Sequence, residues 1–110
     1  MCEFSCPCCG FPTLTELGGY EICPVCWWED DGQDGHSAEV VHGGPNGRYS
    51  LSDARKNFNS HGYMYDLGSG LRAVEQPSPA RVALMAYVFE VRDGGEFNQD
   101  VLDVLIKACQ

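Results

Sequence analysis

Two Cys-Pro-x-Cys units stand near the start of the chain, Cys6-Pro7-Cys8-Cys9 and Cys23-Pro24-Val25-Cys26, with thirteen residues between them. No other feature of the 110-residue sequence restricts the fold as much. Two thiolates three positions apart reach one cation only where the backbone between them turns tightly. Pro7 and Pro24 preset φ for such a turn, and Gly10 can take the left-handed conformation that closes the first one. Trp27 stands where the second unit would carry its glycine, so the second turn is less ideal. The paired spacing is close to that of tetrathiolate zinc ribbons and predicts one zinc ion per chain, held by Cys6, Cys9, Cys23 and Cys26. Leu17-Gly18-Gly19-Tyr20 reads as a hairpin tip between strand-like runs over 12–16 and 20–22, which would bring the two units together.

The length suits a single domain over 1–110, with a ribbon-like acidic part over 1–47 and a mainly helical part over 48–110. A core this small gains from a metal staple. The seven cysteines are an odd number, which counts against a disulfide framework. The start of the sequence has no basic region followed by an apolar run, and no apolar run approaches membrane-spanning length. The expected compartment is therefore the cytoplasm, where thiols stay reduced and pairs of them bind metal.

Charge is distributed unevenly. Residues 1–47 hold eight acids and no Lys or Arg, for −8, whereas residues 48–110 hold eight acids and seven bases, for −1. Such a ribbon would repel phosphates, so nucleic acid is not an expected partner. Trp27-Trp28-Glu29-Asp30-Asp31-Gly32-Gln33-Asp34 sets two aromatics against an acid run. The run lacks the alternating oxygen ligands and distal Glu of a calcium loop, and reads as a solvated acidic loop or a partner-binding loop. Cys8 lies inside the first turn with no Lys or Arg nearby to lower its pKa, so it reads as a small turn-filling residue and not a reactive thiol. Cys2 lacks the spacing to pair with Cys9, and Cys109 reads as a free thiol. His36, His42 and His61 share no motif.

Residues 42–47 read as a connecting loop. Ser50 and Asp53 then form a short capping box for a helix with Leu51, Ala54 and Phe58 on one face and Gly62 as its stop. Residues 63–76 read as irregular. Ser78 caps and Pro79 opens a helix to residue 92, apolar on most sides and therefore buried, with a strand over 87–91 as the rival reading. Asn98 caps a last helix over 99–108 with Val101, Leu102, Leu105 and Ile106 on its apolar stripe. The expected architecture is α+β, a small N-terminal zinc-ribbon β-hairpin packed with two to three C-terminal helices.

Cys6-Pro7-Cys8-Cys9-Gly10, Gly19-Tyr20-Glu21-Ile22-Cys23-Pro24-Val25-Cys26, Trp28-Glu29-Asp30-Asp31-Gly32, Gly43-Gly44-Pro45-Asn46 and the run from Ser50-Leu51 to Phe58 resemble the bacterial cysteine-rich CPCC family. The resemblance spans about the first sixty residues and implies a small metal-binding domain. Some members carry a hydrolase label, but this chain shows no Ser-His-Asp arrangement, no paired catalytic carboxylates in a motif and no open zinc position.

Three functions fit these residues. The first is a non-enzymatic, zinc-stapled acidic protein that binds a basic partner, such as an immunity protein or antitoxin against a basic toxin, commonly a nuclease. Matching potentials speed such encounters and set their specificity. Tyr20, Trp27, Trp28, Glu29, Asp30, Asp31 and Asp34 are the candidate contacts. The second is a structural metal-binding protein serving an enzyme. The third is a rubredoxin-like electron carrier with iron on the four thiolates, although the thirteen-residue gap is shorter than rubredoxins use.

Overall fold

The computed structural model of the chain describes residues 4–110 and shows an α+β protein. Two short strands, β1 (Phe4–Ser5) and β2 (Pro12–Leu14), precede the helices α1 (Leu51–His61), α2 (Arg72–Glu75), α3 (Pro79–Arg92) and α4 (Gln99–Ala108). The chain divides into two compact units, one ending at Leu67 and the other running from Gly68 to Gln110.

In the first unit the backbone folds twice through the same local geometry. Cys6 N–H donates to Phe11 O at 2.9 Å, and Gly10 N–H to Cys6 O at 2.8 Å. The second Cys-Pro-x-Cys unit repeats both bonds, Cys23 N–H to Trp28 O and Trp27 N–H to Cys23 O, each at 2.9 Å. The repeat demands a left-handed residue after each second cysteine. Gly10 supplies it at φ 80 without cost, and Trp27 supplies it at φ 69 against the steric preference of an L residue.

Each cysteine turn is thereby the tip of its own hairpin. Around the first, β1 and β2 pair antiparallel with Phe4 opposite Leu14 and Ser5 opposite Pro12. Around the second, Ile22 bridges to Glu29, flanked by bonds from Tyr20 N–H to Asp30 O and from Asp30 N–H to Glu21 O. This corrects the expected hairpin, since runs 12–16 and 20–22 do not pair with each other across residues 17–20. The cysteine turns already reverse the chain, so each closes the strands on either side of itself. The connection between them is held by a side chain instead: Glu21 Oε1 accepts from Thr15 N–H at 2.8 Å, Thr15 Oγ1 at 2.7 Å and Glu16 N–H at 3.0 Å.

Phe11, Leu14, Val25 and Trp28 are buried in this unit together with Leu51, Ala54 and Phe58 of α1 and with Met64. The rings of Phe11 and Phe58 meet edge to face at 6.3 Å. Arg55 Nε donates to Pro7 O at 2.8 Å and Met64 N–H to Cys26 O at 2.9 Å, which ties α1 and the segment after it to both cysteine turns. α1 begins as its spacing predicts, with the Ser50 hydroxyl accepting Asp53 N–H and the Asp53 carboxylate accepting Ser50 N–H, and Gly62 stops it in the left-handed region. These ties keep α1 with the cysteine turns in the first unit, which ends at Leu67. Nor are residues 42–47 a plain connector. Gly44–Asn46 form one 3-10 turn, and the buried Asn46 amide accepts from Glu29 N–H at 3.0 Å and donates to Glu29 O at 2.7 Å.

The second unit consists of helices. The Ser78 side chain caps α3 at Arg81 N–H and Pro79 occupies its first turn, so the rival strand over 87–91 gives way to a helix of fourteen residues. α3 packs on α4. The Tyr87 hydroxyl ties the two, accepting Asn98 N–H at 2.7 Å and donating to Asn98 O at 3.1 Å. The expectation that α3 is enclosed on most sides fails: Leu84 and Val88 are buried, but Val82 is 54% exposed. One neighbouring helix covers one stripe of a helix, whatever its composition. Of the expected α4 stripe, Leu102 is fully buried, Leu105 and Ile106 are half-buried and Val101 is exposed. α2 is a single turn in a stretch expected to be irregular, and no side-chain cap marks its start. No described helix is long and apolar enough to cross a membrane.

Candidate metal centre

The twofold hairpin brings four sulfurs together. Sγ atoms of Cys6, Cys9, Cys23 and Cys26 all lie within 4.8 Å of one another. Cys6 and Cys26 sulfurs are 3.6 Å apart, and those of Cys9 and Cys23 are 3.7 Å apart. Four sulfurs around a tetrahedral ion with metal–sulfur bonds of about 2.3 Å stand about 3.8 Å from each other. A disulfide would need about 2.05 Å, and the six cysteines described are all free. The donor set therefore fits a tetrahedral metal ion, and the four cysteines that the spacing singled out lie close enough to bind one. A shell of four sulfurs leaves such an ion no open position for water.

Cys6, Cys23 and Cys26 are buried and Cys9 is half-buried. Burial opposes ionisation of Cys23, but hydrogen bonds from Cys26, Cys6, Cys9 and Thr13 outweigh it and hold this thiol well below its ordinary range. The other three are pushed up, Cys9 and Cys26 first by burial and Cys6 first by its contacts with Cys23 and Cys26. Thr13, 5% exposed, places its hydroxyl 3.0 Å from Cys23 Sγ. Sequence reading missed Thr13. Only its position on β2, one residue before the buried Leu14, turns the hydroxyl toward the site.

The residues expected to meet a partner divide. Trp28 is fully buried and Asp30 is 2% exposed, so both belong to the interior. Asp30 Oδ2 accepts Gly18 N–H at 2.6 Å and pins the loop between the two hairpins. Asp31 Oδ1 accepts Gln33 N–H at 3.1 Å, and Asp34 Oδ1 accepts His36 N–H at 2.9 Å. Much of the acid run therefore builds its own loop, because short carboxylates accept backbone N–H groups two residues on. Trp27 and Glu29 are half-buried, Trp27 lying 5.9 Å from Tyr63, and Asp34 is exposed. Tyr20 is 60% exposed, and so is Ile22, which sequence reading passed over. Both flank Glu21 in the chain. Cys8 is buried in the first turn and Cys109 is exposed, while Cys2 lies outside the described residues.

No curated protein and no solved structure matches the chain significantly. A family model described as cysteine-rich CPCC matches residues 4–80, beyond the first sixty or so residues on which the sequence resemblance rests. The match contains both cysteine turns, the Asn46 clamp and α1 and reaches the first turn of α3. The chain, with its four thiols gathered to hold a metal ion, belongs to the cysteine-rich CPCC family.

Proposed function

We propose that the protein is a non-enzymatic binding module in which one zinc ion on Cys6, Cys9, Cys23 and Cys26 staples an acidic ribbon that receives a basic protein. The observation that carries this reading is the complete, largely enclosed sulfur shell, which suits a structural ion and offers no place for a reacting water. The charge asymmetry, −8 over residues 1–47, supports a basic partner. Tyr20 and Ile22, exposed beside the Glu21 carboxylate, supply the apolar centre that such a contact needs. An inhibitor or immunity protein that plugs a basic toxin such as a nuclease has this chemistry.

The experiment has two arms. Native mass spectrometry reads the metal, with one zinc per chain expected and none after Cys23→Ser. Binding kinetics with a basic partner captured by the metal-loaded protein read the surface. Association should slow sharply with salt, since steering is screened beyond about 8 Å at physiological ionic strength, and should weaken on Tyr20→Ala and Asp34→Asn. A partner indifferent to salt and to both changes refutes the surface reading. Iron instead of zinc refutes the metal assignment and favours the electron-carrier alternative, and a red preparation would reveal it.

A further inference from the structure

The last helix leaves an apolar row uncovered. The buried side of α4 is Leu102, with Leu105 and Ile106 half-buried, and α3 is the helix that packs on α4. Val101 is 42% exposed, Val104 is 68% exposed, and Ala108 is exposed too. These three stand at i, i+3 and i+7, the spacing of a coiled-coil seam, so they line one side of the helix. Phe97, four places before Val101, is also exposed. α4 therefore carries two apolar stripes, and one of them faces water.

Charges frame the uncovered row. Asp100 in the first turn and Lys107 in the last are seven places apart, so they flank the row on the same edge. Both are exposed, and neither forms an ion pair among the described residues. Asp103, which accepts a bond from Gln99 Nε2 at 2.8 Å, lies outside the row. Two antiparallel helices joined through such rows set this edge against the same edge of the other helix, with its order reversed. Asp100 of each copy then meets Lys107 of the other, which makes two contacts of opposite sign, and Val101 of each packs on Val104 of the other. The opposite edge carries Leu105, which adds apolar area. A parallel pair would set Asp100 and Lys107 against that Leu105 edge, with no charge to meet. The row is thus self-complementary in one orientation only. Residues 68–110 hold six acids and four bases, −2 of the −9 on the chain, so two copies repel least through this unit.

We propose that α4 binds a second copy of this chain, antiparallel across a twofold axis, through Val101, Val104 and Ala108 with Asp100–Lys107 pairs at the edge. A helix of ten residues is about 15 Å long, so the contact is short and the dimer is a weak one that forms as concentration rises. It uses neither the four thiols nor the Tyr20 and Ile22 surface, so its failure would leave the reading above intact.

The test is sedimentation equilibrium of the metal-loaded full chain from micromolar to millimolar concentration. A phosphine reductant keeps the exposed Cys109 from linking copies covalently. Dimer is expected at the upper end. Val104→Asp, at a position open to water, should stay monomeric throughout, and Ile22→Asp should associate like the parent. Asp100→Lys and Lys107→Asp should each weaken the dimer about tenfold, because each turns two attractive contacts into repulsive ones. An equimolar mixture of these two variants should regain the parent's affinity, because the mixed pair again opposes unlike charges at both contacts. A parent that is monomeric throughout, a dimer that survives Val104→Asp or is lost on Ile22→Asp, or a mixture no tighter than its separate variants overturns the proposal.

Discussion

Removing the Thr13 hydroxyl tests whether the protein shell of the metal centre, and not the four sulfurs alone, sets its affinity. Thr13→Val keeps the shape of the side chain and deletes the one hydroxyl that the structure places 3.0 Å from Cys23 Sγ. Thr13 is 5% exposed, so water has little room to replace the lost donor. A hydrogen bond to a charged acceptor contributes about 1.5–3 kcal/mol, and the bound ion withdraws part of the thiolate charge, which favours the lower end. The expected loss is about 1.5–2 kcal/mol, roughly a ten- to thirtyfold weaker metal affinity, within the range found for groups that support metal ligands. Competition against a chromogenic chelator measures it directly. Thr15→Val is the control, since the Thr15 hydroxyl donates to the exposed Glu21 carboxylate and not to a sulfur. If Thr13→Val binds metal within twofold of the parent, or if Thr15→Val weakens binding equally, the hydroxyl does not act on the sulfur.

Metal uptake at neutral pH should release protons, because Cys6, Cys9 and Cys26 are held above their ordinary range. Calorimetry in buffers of different ionisation enthalpy counts them, and the affinity should fall as pH falls, since protons compete for the three raised thiols. Trp27 should separate backbone strain from stacking: at φ 69, Trp27→Gly should be more stable than Trp27→Ala by about 1 kcal/mol in chemical denaturation, although both lose the contact with Tyr63. Asp30→Ala should cost the metal-loaded protein about 1–3 kcal/mol by leaving the Gly18 N–H unpaired, with faster hydrogen exchange at Gly18 as the local readout.

The sequence alone determined the parts of this protein that depend on a few neighbouring residues. Cys6, Cys9, Cys23 and Cys26 were legible because metal ligation fixes their spacing, and α1 was legible because Ser50, Asp53 and Gly62 act within one turn of its ends. The same locality exposed the caps at Ser78 and Asn98. Tertiary structure decided which strands pair, because pairing depends on where the chain reverses, and Trp27 accepts a left-handed conformation that a reading of preferences assigns to glycine. It also decided which acids face water. Asp30 and Asp34 look alike in a charge count, but Asp30 is sealed against Gly18 while Asp34 lies exposed. A carboxylate can be a surface charge or a loop staple, and which it becomes depends on whether a distant N–H arrives beside it. That contact exists only after the two hairpins have folded side by side around the four sulfurs.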